Sequence, residues 1–184
     1  MHPELIEIGG ITLYAYGFFI MIGALTSYMY GIKVFKKELD IEPDKVQTLT
    51  ILIISAAVIG GKIFFYFEDP AYYFSSPENL LKNFRQGFVF YGSLIFAVPT
   101  VIWYFRKEKW PIFPMLDILS IIATIIHGFG RLGCFFAGCC HGLPTDSFLG
   151  VTFTDAKSQA KPLDIPLHPT QLYEVFFIGS LMLF

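Results

Sequence analysis

The 184-residue sequence has little charge, few cysteines and no cluster of basic residues. Charged residues make up 15% of the chain and the formal net charge is -2, so there is no basic face of the kind that binds nucleic-acid phosphates. Three cysteines, an odd number in a long chain, do not indicate a disulfide framework. The segment before Ile8 has no Lys or Arg and no small-residue cleavage pattern, which argues against a removable signal peptide.

Apolar residues, in contrast, make up 54% of the sequence and aromatic residues 18%, a composition typical of membrane proteins. A helix needs ~20 apolar residues to cross a bilayer. Five apolar segments follow one another: residues 8–32, 46–67, 88–105, 112–137 and a last one from about Gln171 to Phe184. The sequence therefore predicts an all-α, polytopic transmembrane helix bundle of about five spans. We expect one transmembrane domain, residues 1–184, truncated at its C-terminus within an incomplete last span.

Lysine and arginine are distributed unequally between the predicted loops. Seven follow the first and third segments and four lie in the other loops, namely Lys33, Lys36, Lys37, Lys45, Arg106, Lys107 and Lys109 against Lys82, Arg85, Lys157 and Lys161. Because cytoplasmic loops carry the excess of positive charge, we expect an extracytoplasmic N-terminus and a long extracytoplasmic loop over residues 138–169. Alternation in residues 151–154 indicates a short strand there.

In this orientation, polar side chains of all five segments lie at the extracytoplasmic level: Tyr14, Tyr16, Lys62, Tyr91, Arg131, Tyr173 and Glu174. Charges at membrane depth usually face a protein interior or a watery cavity. Arg131 is the most informative of them, because it follows thirteen uncharged residues and its guanidinium can bind phosphate as a fork. We expect it to bind a lipid phosphate, the alternative being a structural ion pair.

Three more polar residues of these segments each have a structural interpretation. Lys62 either contributes to the polar level or extends its ammonium to the interface. His127, one turn before Arg131 on the same helix face, either supports Arg131 or is a satisfied interior histidine. Asp117, near the opposite end of its segment, is expected to be structural.

Two segments resemble a known family. Residues 130–138, G-R-L-G-C-F-F-A-G, followed by Gly142, are similar to the signature G-R-x-G-x-F-x-x-G of prolipoprotein diacylglyceryl transferases. Residues 168–174, H-P-T-Q-L-Y-E, are similar to that family's H-P-[ST]-Q-L-Y-E segment. Tyr16-Gly17 and residues 60–66 are weaker matches, in the order that the family has. The resemblance extends from about residue 8 to the end.

The resemblance implies a multi-pass enzyme of the bacterial plasma (inner) membrane. Such an enzyme transfers a diacylglyceryl group from phosphatidylglycerol to the lipobox cysteine of a prolipoprotein, forming a thioether and releasing glycerol phosphate. It implies no metal, ATP or other cofactor. The expected catalytic residues are Arg131, Tyr91 and His168, with Tyr16 and His141 as further candidates for the base. The expected lipid and phosphate contacts are Arg131, Tyr16, Gly130, Gly142, Gln171, Tyr173 and Glu174.

The sequence departs from the family pattern at three points. Tyr91 stands where the family has a histidine, and a phenol with an ordinary pKa near ~10 is a poorer base at neutral pH. Cys134 stands at an asparagine position and Cys139 at an acidic one, followed by Cys140 and His141. Family members also continue through further helices.

The cysteines favour an alternative interpretation, a membrane thiol-redox or metal-binding protein that uses Cys134, Cys139, Cys140 and His141. Their spacing lacks the paired C-x-x-C units of common zinc sites. A third possibility is a family member that binds lipid without transferring anything.

Overall fold

The computed structural model describes residues 3–8, 11–76, 78–79 and 87–182. Lys82 and Arg85, which the loop count used, lie outside the described residues, as do the last two residues of the final apolar segment. The chain is organised as two compact units. Unit 1 combines Met1–Lys33 with Asp117–Phe184, and unit 2 is Val34–Leu116.

Most of the described chain is helical. In chain order the elements are β1 (Glu4–Ile8), β2 (Ile11–Tyr14), α1 (Ala15–Leu39), α2 (Pro43–Glu68), α3 (Pro70–Tyr73), α4 (Phe90–Glu108), α5 (Ile112–Ala137), β3 (Val151–Thr152), β4 (Pro166–Leu167) and α6 (Thr170–Leu181). The predicted fourth segment, residues 112–137, is confirmed by the bounds of α5. The predicted second, third and fifth segments correspond to α2, α4 and α6.

Within the described residues, α1, α2 and α5 are long and apolar enough to cross a membrane. They have 25, 26 and 26 residues, about 38 Å of helix against a hydrocarbon core of about 30 Å. The helix α4 has 19 residues with Pro99 inside it, and α6 has 12. The protein is therefore mostly helical, with three long apolar helices that are compatible with a membrane helix bundle.

The beginning of the chain differs from the prediction of a helix that starts near Ile8. The strands β1 and β2 pair antiparallel, with Glu4 opposite Tyr14, and α1 begins only at Ala15. The sequence between the strands contains a Gly-Gly dipeptide, which favours a tight hairpin, and the flanking Ile, Thr and Tyr residues favour strands. The prediction of a helix there used only the length of the uncharged segment. The local preferences for a turn and for strands explain why strands form before Ala15.

The long segment after α5 has its own small apolar core. Its strand β3 pairs antiparallel with β4, with Val151 opposite Leu167, so the strand predicted in residues 151–154 is confirmed over two residues. Phe153, Ala160 and Leu167 are 0–1% exposed, and Phe135 of α5 packs against them. This core fixes the segment to the end of α5 and so positions the residues that follow it.

In unit 2, the backbones of α2 and α4 approach each other closely at a crossing formed by two glycines. A Cβ atom on Gly60 would lie 2.3 Å from the Gly92 carbonyl oxygen, and one on Gly92 would lie 2.5 Å from that of Gly60. Small residues at such a crossing allow two apolar helices to pack closely. Beside the crossing, Lys62 Nζ donates to the carbonyl oxygen of Gly87 over 2.9 Å. Lys62 therefore has a structural contact within its own unit.

Candidate functional site

The glycines of the signature segment let α5 approach the beginning of α1. A Cβ atom on Gly133 would lie 3.1 Å from Tyr16 Cδ2 and 3.2 Å from Tyr16 Cα, and one on Gly130 would lie 3.4 Å from Ile20 Cδ1. Gly133 faces Tyr16 and Gly130 faces Ile20, so residue numbers increase along α1 while those of the contacting residues on α5 decrease. The two helices therefore run antiparallel at this crossing. Tyr16 is thereby held against the backbone of the G-R-x-G segment.

The two family-like motifs are joined where α5 ends and α6 begins. Three hydrogen bonds connect them: Gly142 N–H to His168 C=O over 2.8 Å, Thr170 Oγ1–H to Cys140 C=O over 2.7 Å, and the side-chain amide of Gln171 to Cys139 C=O. Gln171 is 1% exposed, so its hydrogen bond is made away from water. The two motifs therefore form one substructure of unit 1, although sequence spacing did not predict which residues would meet.

Arg131 of α5 lies beside Glu174 of α6. Its Nε atom is at ion-pair distance from Glu174 Oε2, without the geometry of a hydrogen bond. The same carboxylate oxygen lies 3.3 Å from His127 Nε2. The Arg131 side chain is 27% exposed and that of Glu174 is 45% exposed, so the pair is partly accessible. The two terminal guanidinium nitrogens of arginine form a fork suited to phosphate.

An apolar groove begins beside this ion pair. It has a volume of about 360 Å³ and is lined by residues of α1, α5 and α6, among them Thr124, Gly128 and Leu132 of α5 and Val175, Ile178 and Gly179 of α6. Leu132 and Val175 directly follow Arg131 and Glu174 in the sequence. Apart from Thr26 and Thr124, the described residues that line the groove are apolar or glycine.

A larger cavity of about 680 Å³ also lies within unit 1. Tyr16, Cys134, Cys139, Cys140 and Gln159 contribute to its lining. The described lining does not include Arg131, the residue that the sequence singled out.

The wall of this cavity contains residues that no sequence motif indicated. Lys157 of the loop pairs with Glu4 of β1, and both line the cavity. This hydrogen bond to the Glu4 carboxylate raises the pKa of Lys157 above its ordinary value. The sequence around each of these two charged residues contains no motif that predicts their contact.

The candidate bases have different surroundings. His168 Nδ1 lies 3.0 Å from the Tyr173 hydroxyl oxygen. Tyr91 begins α4 in unit 2 and is 74% exposed, and Tyr16 is 46% exposed.

His141 has a structural environment. Its Nε2 accepts from Lys161 N–H over 3.3 Å, so its Nδ1 carries the proton and donates to the Gly142 carbonyl over 2.8 Å. In the described part of the chain, both ring nitrogens of His141 are therefore used, whereas the contact of His168 involves Nδ1 alone.

The three cysteines are free thiols that lie close together. The Sγ atoms of Cys134, Cys139 and Cys140 are all within 4.8 Å of one another. Burial raises the pKa of the Cys139 thiol to about 12. At neutral pH this thiol is protonated and is a weak nucleophile.

A mostly helical chain with three apolar helices of membrane length, and an apolar groove lined by α1, α5 and α6, has the features of helical membrane proteins. A profile described as prolipoprotein diacylglyceryl transferase matches residues 3–184. The chain belongs to this family, which confirms the resemblance seen in its motifs.

Curated relatives support the same assignment. The phosphatidylglycerol–prolipoprotein diacylglyceryl transferase of Clostridium tetani is 37% identical over 177 residues, which are 96% of this chain and 70% of the relative. A second enzyme of this name from Clostridium perfringens is 33% identical, over 100% of this chain and 71% of its own length. The protein of the same name from Rickettsia africae is 28% identical, over 99% of this chain and 69% of its own length.

Proposed function

We propose that this protein transfers a diacylglyceryl group from phosphatidylglycerol to the cysteine thiol of a prolipoprotein. The observation that carries the proposal is the meeting of the two family motifs at the Arg131–Glu174 pair, beside an apolar groove. Relatives up to 37% identical bear the name of this enzyme. The alternative main function, that of a thiol-redox or metal-binding protein, is not favoured, because the family profile covers nearly the whole chain.

The groove and the ion pair suggest how the lipid binds. The phosphate of the lipid lies at the terminal nitrogens of Arg131, whose Nε contacts Glu174. An acyl chain follows the apolar groove between α5 and α6. Gly142 and Gln171 hold the two motifs together, the first through its backbone N–H and the second through its side-chain amide. Gly130 and Tyr16 lie at the neighbouring crossing of α1 with α5.

The reaction needs a base for the thiol and stabilisation of an anionic leaving group. The sulfur forms a bond to the glyceryl carbon that carries the phosphate, and the carbon–oxygen bond to the phosphate breaks with its electron pair staying on oxygen. Arg131 stabilises the negative charge that develops on glycerol phosphate. His168 accepts the thiol proton on Nε2 while its Nδ1–H donates to the Tyr173 hydroxyl oxygen. Imidazole is suited to this step because it changes protonation nearest to neutral pH.

We further propose that the protein lies in the bacterial plasma membrane with an extracytoplasmic N-terminus. In this arrangement α4 and α6 complete five spans, and the loop over residues 138–169 is extracytoplasmic. Reporter fusions test the topology: alkaline phosphatase fused after Asp155 is active, and the same enzyme fused after Lys109 is inactive. The opposite pattern contradicts the orientation.

The transfer itself is tested with the full-length protein purified in detergent, phosphatidylglycerol labelled in its acyl chains, and a lipobox peptide. We expect the label to appear on the peptide as a thioether. Arg131→Ala reduces the rate by at least about 100- to 1,000-fold, the effect of losing a donor to a developing anion. Arg106→Ala, at the end of α4, is the matched control. It also removes an arginine, and we expect it to leave the rate of transfer unchanged. Lipid binding without transfer by the wild type would identify a non-catalytic family member.

A further inference from the structure

We propose that Cys134, Cys139 and Cys140 form a binding site for a thiophilic d10 cation such as Zn²⁺. Their Sγ atoms are within 4.8 Å of one another. Two sulfur ligands at about 2.3 Å from a tetrahedral zinc ion lie about 3.8 Å apart, so small side-chain rotations suffice to bring all three onto one ion. Thiolates are the ligands that select soft ions over Mg²⁺ or Ca²⁺.

The backbone around the cluster is held in place from outside. Gln171 donates its buried amide to the Cys139 carbonyl, and Thr170 Oγ1 donates to the Cys140 carbonyl over 2.7 Å. Cys139 N–H donates in turn to the Cys134 carbonyl over 3.1 Å, which closes the end of α5. Two thiols on a fixed loop and a third on the last turn of a helix make a set of ligands that is already assembled.

Cys140 adopts a backbone conformation that a side chain normally avoids. Its φ is 58°, in the left-handed region. A residue other than glycine there costs about 1–2 kcal/mol, and such strain often occurs at functional sites. The contacts from α6 support this turn, which brings the Cys140 thiol back towards those of Cys134 and Cys139.

An ion can reach the cluster from the 680 Å³ cavity, because all three cysteines line it and Cys140 is exposed. His141 does not complete the set, because its ring nitrogens are used by Gly142 and Lys161. The site therefore supplies three thiolates, with a fourth position open to the cavity. Bound zinc replaces the three thiol protons, since a coordinating thiol is deprotonated.

This inference does not depend on the proposed transfer reaction. Arg131 and His168, to which that reaction assigns the chemistry, are outside the described lining of the cavity. The ion is also not a cofactor for the transfer, which requires none.

Cadmium binding provides the test, because cadmium–thiolate bonds have a charge-transfer band in the ultraviolet. Cd²⁺ is titrated into the full-length protein in detergent, with a non-thiol reductant, after the three thiols have been counted in the same sample. We expect the band to saturate at one equivalent and Zn²⁺ to displace it. Each single Cys→Ser variant lowers the affinity by at least about 100-fold, since even the loss of a partner outside the ligand set costs 10- to 100-fold.

Asp146→Asn is the control, because it removes an exposed carboxylate of the same loop without touching a thiol. We expect its affinity to equal that of the wild type. The proposal is overturned by the absence of a saturable band in wild-type protein with three titratable thiols. It is equally overturned if Cys140→Ser binds Cd²⁺ as tightly as the wild type, with an unchanged melting temperature showing that the variant is folded.

Discussion

Arg131 and Glu174 form an ion pair between α5 and α6, and the pair joins the two motifs that characterise this chain. The Glu174 carboxylate also lies 3.3 Å from His127 Nε2. Glu174 thus contacts the guanidinium through Nε, and we assign the fork of its two terminal nitrogens to phosphate. We infer that Glu174 is a positioning residue for Arg131 and does not itself take part in the chemistry.

Glu174→Gln should lower the rate of transfer by about 100-fold, the cost of displacing a catalytic group by about 1 Å. In an Arg131→Ala background the same substitution should have little further effect, because residues that act as one unit are not additive. A double-mutant cycle on kcat/KM measures the coupling. Losses that simply multiply would mean that Glu174 acts independently of Arg131.

The two histidines of the extended loop make a matched pair for identifying the base. His168→Gln should reduce transfer by about 10²- to 10⁴-fold, the usual contribution of general base catalysis. His141→Gln should reduce it much less, because His141 makes two structural contacts to the backbone. Rates across a range of pH, with Tyr91→Phe included, provide the measurement. If Tyr91→Phe abolishes transfer while His168→Gln is active, the phenol is the base.

Sequence reasoning located the helices better than it located the contacts between them. The bounds of α5 could be read from the sequence, because a long and mostly apolar segment has few alternatives to a helix. The hairpin before Ala15 was missed, because the apolar length concealed a turn signal and strand-forming residues. The spacing of Arg131 and Glu174 in the chain says nothing about their distance, which depends on how the loop over residues 138–169 folds back.

Gly133→Ala should destabilise the protein by about 1–3 kcal/mol, the usual cost of inserting a methyl group into packed structure. The new Cβ would lie 3.1–3.2 Å from Tyr16 atoms that include backbone, which cannot rotate away. Gly17→Ala is the control, since its Cβ would meet nothing within 4 Å and alanine is the better helix former. Thermal unfolding in detergent should show a lower Tm for the first variant and an unchanged or higher Tm for the second. Equal melting temperatures would contradict the close approach of α5 to Tyr16.

The cysteine cluster shows a further limit of prediction from sequence. The sequence suggested a ligand set of Cys134, Cys139, Cys140 and His141. The structure brings the three thiols together, but the folded loop uses His141 for backbone contacts. Arg131 and Cys134 are three residues apart on α5. In the structure, only Cys134 lines the larger cavity.

The Cys139 thiol should react with iodoacetamide only slowly at pH 8. Its pKa is raised to about 12, chiefly by burial, so about one thiol in 10⁴ is ionised at pH 8 and the reactive fraction rises about tenfold per pH unit until the pKa is reached. Two variants that each keep a single thiol allow the sites to be measured separately. Cys134→Ser with Cys140→Ser keeps the buried Cys139, and Cys134→Ser with Cys139→Ser keeps the exposed Cys140. Labelling of Cys139 that is rapid at pH 8 and independent of pH would contradict the burial of this thiol.

Zinc should inhibit transfer if both proposals hold, because the ion would occupy the cavity that Tyr16 lines, and Tyr16 is an expected lipid contact. A cation held there changes the charge and the space beside the crossing of α1 with α5. We expect saturating Zn²⁺ to slow the wild type at least about tenfold, equivalent to about 1.4 kcal/mol in the barrier. Cys140→Ser, which retains only two of the three ligands, should keep its own rate at the same Zn²⁺ concentration. Zinc that binds with the expected stoichiometry but leaves transfer unchanged would show that the cavity is not on the path of the substrates.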